Sequence, residues 1–210
     1  MKCVIVGSRL PEIAFQTLTG SFTTDTSYTF SSTPIGPAHS SRVVIVAVAY
    51  INSTPTSATV TVGGTSATEI SGCAKRMTSG ASTEFQIKCF RVNIASGTTA
   101  NVVVTTSALG CWIGVWSAYY LRSGTPVDSV AHEPSSGAVV LDLNTSARGV
   151  GCGFGVTAAN VTWTGADEDH DAITAGVWMT GAHFTQGSAA GSPRTVRISS
   201  GAIGCAVSFR

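Results

Sequence analysis

The sequence predicts an all-β chain, a jelly-roll-like antiparallel β-sandwich built from two similar halves, and three observations carry that expectation. Short runs rich in Val, Ile, Thr and aromatic residues recur every ~8–12 residues between Gly/Pro/Ser turns, the rhythm of a sandwich or barrel. No stretch shows a capped, 3.6-residue apolar period, so helix content should be very low. Finally, Val102–Trp116 (VVVTTSALGCWIGVW) and Val196–Arg210 (VRISSGAIGCAVSFR) share one skeleton. Val102 meets Val196, Leu109 meets Ile203, and Gly110-Cys111 meets Gly204-Cys205. A jelly roll, with its two Greek keys, accommodates such doubling.

Taken in order, Lys2–Gly7 is a short β candidate cut off from the body by Arg9-Leu10-Pro11. It reads as an edge strand or as an arm that pairs with a neighbouring subunit. Residues 1–22 form this N-terminal strand or arm, and residues 23–210 a single sandwich domain. Phe15–Phe22 and Ser27–Ser32 follow with a period of two, and Pro34-Ile35-Gly36-Pro37 breaks the chain. Arg42–Ile51 (RVVIVAVAYI) is continuous and β-branched, a strand covered on both faces. Ser57–Val62, Gly63-Gly64 and Thr65–Ile70 signal a hairpin. In Phe85–Val92, Phe85, Ile87 and Cys89 share one side, with Gln86, Lys88 and Phe90 on the other. Thr98–Thr106 and Cys111–Tyr120 complete a first half over about 27–121.

The second half, about 135–210, repeats these segments in order. Ala138–Leu143 stands for the early strand, Arg148–Val156 (RGVGCGFGV) for RVVIVAVAY, and Val161–Thr164 for SATVTV. Ile173–Phe184 alternates like FQIKCFRV, and Val196–Arg210 closes the half. Cys111 and Cys205 are then expected at matching core positions.

Composition narrows the function. The 210 residues suffice for a sizeable core, and charged residues are 11% of the chain, against ~25% in an ordinary soluble domain. A hydroxyl-rich, weakly charged surface suits a chain whose faces are covered by neighbours. Net charge is +1, with Lys75-Arg76 as the single adjacent basic pair, so no nucleic-acid footprint is expected. No apolar run reaches the ~20 residues of a membrane helix, and Arg9 and Pro11 interrupt the first apolar run too early for a signal peptide. Of the six cysteines, Cys89, Cys111, Cys152 and Cys205 sit inside apolar strand patterns. Without CxxC or a Cys/His cluster of zinc spacing, free buried thiols in a reducing cytoplasm are expected in place of disulfides.

Candidate chemistry is sparse. Asp167, Glu168, Asp169 and Asp171 crowd around His170 and could offer oxygens to Ca²⁺. They lack the alternating register of a calcium loop, and a solvated loop tip accounts for them equally. No nucleophile elbow, Cys/His pair or selected carboxylate pair is present, so neither an enzyme nor a cofactor is expected. Trp112 and Trp116 share one face of a period-two strand, with Ile113 and Val115 on the other. With both faces apolar, these aromatics should fill a core; exposed, they would form a sugar-stacking platform.

The segments YTFSSTPIG, RVVIVAVAYIN, SATVTVGGTSATEI and TTANVVVTTSALGCWIGVWS resemble small all-β structural proteins of tailed bacteriophages and related gene transfer agents. The likeness runs from about Ser27 to Arg210 and lies in texture and segment order. It implies a non-enzymatic virion component, assembled in the host cytoplasm and working as a homo-oligomer, with a trimer favoured. Its partners would be capsid or other virion proteins, as a capsid decoration (cement) or head-fibre or spike-base protein, with no nucleic acid and no membrane. Lys2, Val4, Val6, Phe15 and Phe22 are the candidate docking residues. The alternative is a carbohydrate-binding adsorption module of a tail or head fibre, with a host surface glycan as partner.

Overall fold

Burial on both faces organises this chain. The computed structural model describes residues 9–52, 54, 56–79, 83–133, 137–186, 194–200 and 203–210. Among them are seventeen strands and no helix. The first half contains β1 (Glu12–Ser21), β2 (Asp25–Pro34), β3 (Val43–Asn52), β4 (Thr59–Val62), β5 (Thr65–Ser66), β6 (Thr68–Ser79), β7 (Thr83–Asn93), β8 (Thr99–Ala108) and β9 (Gly110–Tyr119). The second contains β10 (Asp128–His132), β11 (Val139–Leu143), β12 (Val150–Thr157), β13 (Trp163–Thr164), β14 (Asp167–Thr174), β15 (Val177–Thr185), β16 (Arg194–Ile198) and β17 (Ile203–Phe209).

These strands form four antiparallel sheets. An inner sheet β1-β9-β3-β7-β6 faces an outer sheet β2-β8-β4-β5 in the first half. The second half repeats the scheme with an inner sheet β10-β17-β12-β15-β14 and an outer sheet β11-β16-β13. Strand for strand, β10 stands for β1, β11 for β2, β12 for β3, β13 for β4, β14 for β6, β15 for β7, β16 for β8 and β17 for β9.

Three apolar layers separate the four sheets. Val44, Val46, Val48 and Tyr50 of β3 meet Val60, Val62, Val102 and Val104 of the first outer sheet. Leu141, Val196, Ile198 and Trp163 meet Phe184 and Ala206 in the equivalent layer of the second half. Between the two inner sheets, Ile45, Ala47, Trp112 and Trp116 meet Phe154, Val156, Met179 and Val207. The halves are thus two sandwiches joined back to back. This differs from the single sandwich expected over residues 23–210, because each half supplies both an inner and an outer sheet.

The layering explains why the strands read as they do. All ten residues of β3 and of β9 are buried, since each inner sheet is covered on both sides. In β12 the same constraint is met by glycine. A Cβ at Gly151 would lie 2.3 Å from Phe184, and one at Gly153 would lie 2.7 Å from Trp163. The outer face of β12 is therefore filled by large side chains reaching across from its neighbours, while Cys152, Phe154 and Val156 fill the central layer. As expected, Ile113 and Val115 face away from Trp112 and Trp116.

One sequence equivalence fails. Cys111 belongs to the first half's own core, whereas Cys205 points into the layer between the halves. Val102 and Val196 both face inward in β8 and β16, so the aligned hairpins start in phase. The turns then differ: one residue separates β8 from β9, and four separate β16 from β17. An odd change in turn length flips every later side chain to the other face.

Among the described residues, one charged side chain of the first sandwich is buried completely. Arg42 is fully buried, and its guanidinium donates among the carbonyls of Ile35, Gly36, Pro37, Ile94, Ser96 and Gly97. It ties the Pro34–Pro37 break to the β7–β8 turn. Replacing Arg42 with Met should leave these carbonyls unsatisfied and cost about 3 kcal/mol in urea unfolding. Gly153→Val should cost about 1–3 kcal/mol by driving a side chain into Trp163, with both losses read from the unfolding midpoint.

Candidate functional site

The join between the sandwiches gathers most of the chemistry-bearing residues. On one flank, two indoles of β9 reach across to β14 of the other half. Trp112 Nε1 donates to the Thr174 carbonyl at 2.6 Å, and Trp116 Nε1 donates to Asp169 Oδ2 at 2.8 Å. Asp169 Oδ1 takes a second hydrogen bond from His183 Nδ1 at 2.7 Å. The carboxylate is 7% exposed and faces inward because β14 bulges between Glu168 and His170. Both tryptophans are fully buried; they fill the core and leave no sugar platform on β9.

The acidic run thus lies in a strand, where a loop tip was one of its two expected readings. Strand β14 is an edge strand, and charge on an edge strand deters pairing with other chains. Its carboxylates serve separate donors. Asp171 Oδ2 accepts from the Val161 amide at 2.7 Å, Glu168 Oε2 from the Trp163 amide at 3.4 Å, and Asp167 is exposed. They do not converge as a cation site. The metal-ligating side chains that do converge, among the described residues, are Cys73, Cys89 and Cys205.

These three thiols occupy the opposite flank of the join. Cys89 Sγ and Cys205 Sγ are 3.4 Å apart, and Cys73 Sγ donates to the Ala206 carbonyl at 3.3 Å. Contact among the three sulfurs pulls Cys205 below the ordinary thiol range and pushes Cys73 and Cys89 above it. Cys111, in the other core, is raised by burial alone. Cys73, Cys89, Cys111, Cys152 and Cys205 are all free and buried; apolar strand patterns pointed to this for all of them but Cys73. The cluster was missed because its members lie far apart in sequence and Cys73 sits in a polar context.

The candidate docking residues divide. Lys2, Val4 and Val6 lie outside the described residues. Phe15 lies within, and Phe22 just past, a strand that is built into the body: β1 pairs with β9 from Glu12 opposite Tyr119 to Ser21 opposite Cys111. Residues 12–21 are therefore sheet, not a free arm, because their backbone completes the first inner sheet. Phe15 packs on Trp116 with ring centroids 5.6 Å apart. Phe22, at the far end, is 61% exposed and sits against Trp112 with ring centroids 5.8 Å apart.

A second site emerges where the chain enters β1. Arg9, Arg122, Arg148 and Arg210 line one cleft of about 390 Å³, together with Leu10, Tyr120 and Ser146. Arg9 stacks over the Tyr120 ring at 5.1 Å and donates to its hydroxyl at 2.6 Å. Tyr120 and Arg148 are two of the four non-glycine residues described with positive φ, at 56° and 58°. Backbone strain of this kind concentrates at functional sites. Four of the chain's twelve basic residues meet here, yet no two are neighbours in sequence.

The His183–Asp169 pair has a readable pH signature. Its hydrogen bond to Asp169 raises His183 above 6.5, against the opposing effect of burial. A raised value means that the pair's stabilisation is complete below pH 6.5 and is lost as pH rises through the folded value. His170, lowered by burial, works in the opposite sense. The gap in melting temperature between wild type and His183→Gln should therefore be widest near pH 5.5 and narrow towards about pH 8. Thermal unfolding across that range measures it.

No family model and no curated protein matches this chain. Among solved structures, A223, a turret protein in Sulfolobus turreted icosahedral virus, aligns at 10% identity over 95% of this chain and 98% of that chain. Its TM-score is 0.16, at which the likeness carries no argument about fold or role.

Proposed function

We propose that the chain is a non-enzymatic structural protein of a bacteriophage virion. In this reading it decorates the capsid exterior as a cement or head-fibre base, self-associates as a trimer, and docks through the arginine cleft at the root of its N-terminal segment. The observation that carries the docking site is the convergence of Arg9, Arg122, Arg148 and Arg210 beside exposed Leu10. Guanidinium groups grouped on an otherwise weakly charged surface fit an acidic protein face, where bidentate pairing gives register.

The strand order supports the structural role. In the first half, β1-β9-β3-β7 faces β2-β8-β4-β5, the order in which a jelly roll pairs its eight strands. In this reading the first sandwich is a jelly roll, and the second, whose three-stranded outer sheet lacks a counterpart of β5, is a reduced copy of it. Exposed Phe22, just past the end of β1, offers a small apolar contact to a neighbouring subunit.

Particles from a producing strain provide the test. Antibody labelling should mark the head, and the double variant Arg122→Glu/Arg148→Glu should be incorporated about tenfold less while melting like wild type. Label confined to the tail tip would favour the glycan-binding alternative. Normal incorporation of the double variant would reject the cleft as the docking site.

A further inference from the structure

Three strands deliver a thiol to one point in the join between the sandwiches. Cys89 comes from β7 of the first inner sheet, and Cys205 from β17 of the second. Cys73 arrives by a distortion. The pairing of β6 with β7 breaks between Ile70 and Lys75, and Cys73 lies in the displaced segment with no exposure. The same segment is pressed against the other half: a Cβ on Gly72 would lie 2.1 Å from Ser129 Oγ of β10. Bulges re-aim side chains, and this one aims a sulfur across the interface.

The spacing suits ligands of a common ion. All three Sγ atoms lie within 4.8 Å of one another, and Cys89 and Cys205 are 3.4 Å apart. Sulfurs bound at ~2.3 Å to one tetrahedral Zn²⁺ stand about 3.8 Å from each other, whereas a disulfide would need ~2.05 Å. The Ala206 carbonyl oxygen accepts from Cys73 Sγ at 3.3 Å, which sets a neutral oxygen beside one of the three sulfurs. All three side chains are buried, as in a closed structural site.

We propose that Cys73, Cys89 and Cys205 form a structural site for one Zn²⁺ ion, which clamps the two sandwiches together. Binding replaces three S–H bonds by three Zn–S bonds and releases three protons to solvent. The result carries one net negative charge. Cu⁺ in the same set would leave two, a heavier load for an apolar layer without a cationic partner. The ion enters while the chain folds, since the finished site is sealed.

The full chain, refolded under a phosphine reductant with Zn²⁺ and then desalted, should retain about one equivalent by mass spectrometric metal analysis. It should melt higher than the chelator-treated protein. Refolding with Co²⁺ should give intense sulfur-to-metal charge-transfer absorption, a readout that needs no variant to fold. Cys89→Ala and Cys205→Ala should lower retained zinc at least about tenfold, while Cys111→Ala, altered in a different core, keeps it. Less than about a tenth of an equivalent in wild type, with no charge-transfer band, would overturn the site. So would a Cys89–Cys205 disulfide in the native protein, or equal zinc loss in Cys111→Ala.

Discussion

Covering two sheets on both faces is the constraint from which the rest of this molecule follows. A sheet with one wet face can alternate apolar and polar residues, but an inner sheet between two layers cannot. Strands β3, β9, β12 and β17 are accordingly buried along their whole length. Where a neighbouring layer supplies a large ring, the strand must give way, and β12 does so through alternate glycines. The largest polar side chains inside are engaged, as with Arg42 among six carbonyls and the Trp112 and Trp116 indoles on β14.

Fold class and the doubled plan were legible in the sequence because each rests on local pattern. Continuous apolar runs marked the inner strands, and alternation placed Ile87 and Cys89 opposite Phe90 correctly. Three features were not legible. The number of layers depends on which sheet covers which, information that no single strand carries. The facing of Cys205 depended on how many residues separate β16 from β17, where one slip reverses every side chain. The strand status of Asp167–Thr174 was hidden because its charges balance partners contributed by other elements, such as Trp116 and the Val161 amide.

Functional residues were harder to see for the same reason. Arg9, Arg122, Arg148 and Arg210 look scattered along the chain, and only the meeting of the β1 entry, the β9–β10 link and the turn before β12 makes them a cleft. Cys73 gave no apolar-strand signal because it sits in a bulge. Tryptophan and aspartate clusters, read as separate candidates, turned out to be two ends of one hydrogen bond.

The stacking of the halves has a consequence for what such an interface can contain. Strand β1 lies over β14 and β15, while β6, the opposite edge of its sheet, lies over β10 and β17. Since β10 and β14 are the counterparts of β1 and β6, the halves are arranged like the subunits of a two-fold dimer. In a dimer of identical chains, each contact on one side of the axis must recur on the other. Here a link of only eight residues, from Tyr120 to Val127, makes the partner part of the same chain and lifts that obligation. One side could become an indole–carboxylate–imidazole latch and the other a nest of sulfur. Covalent fusion, by releasing the pair from strict symmetry, lets a single interface carry two different chemistries.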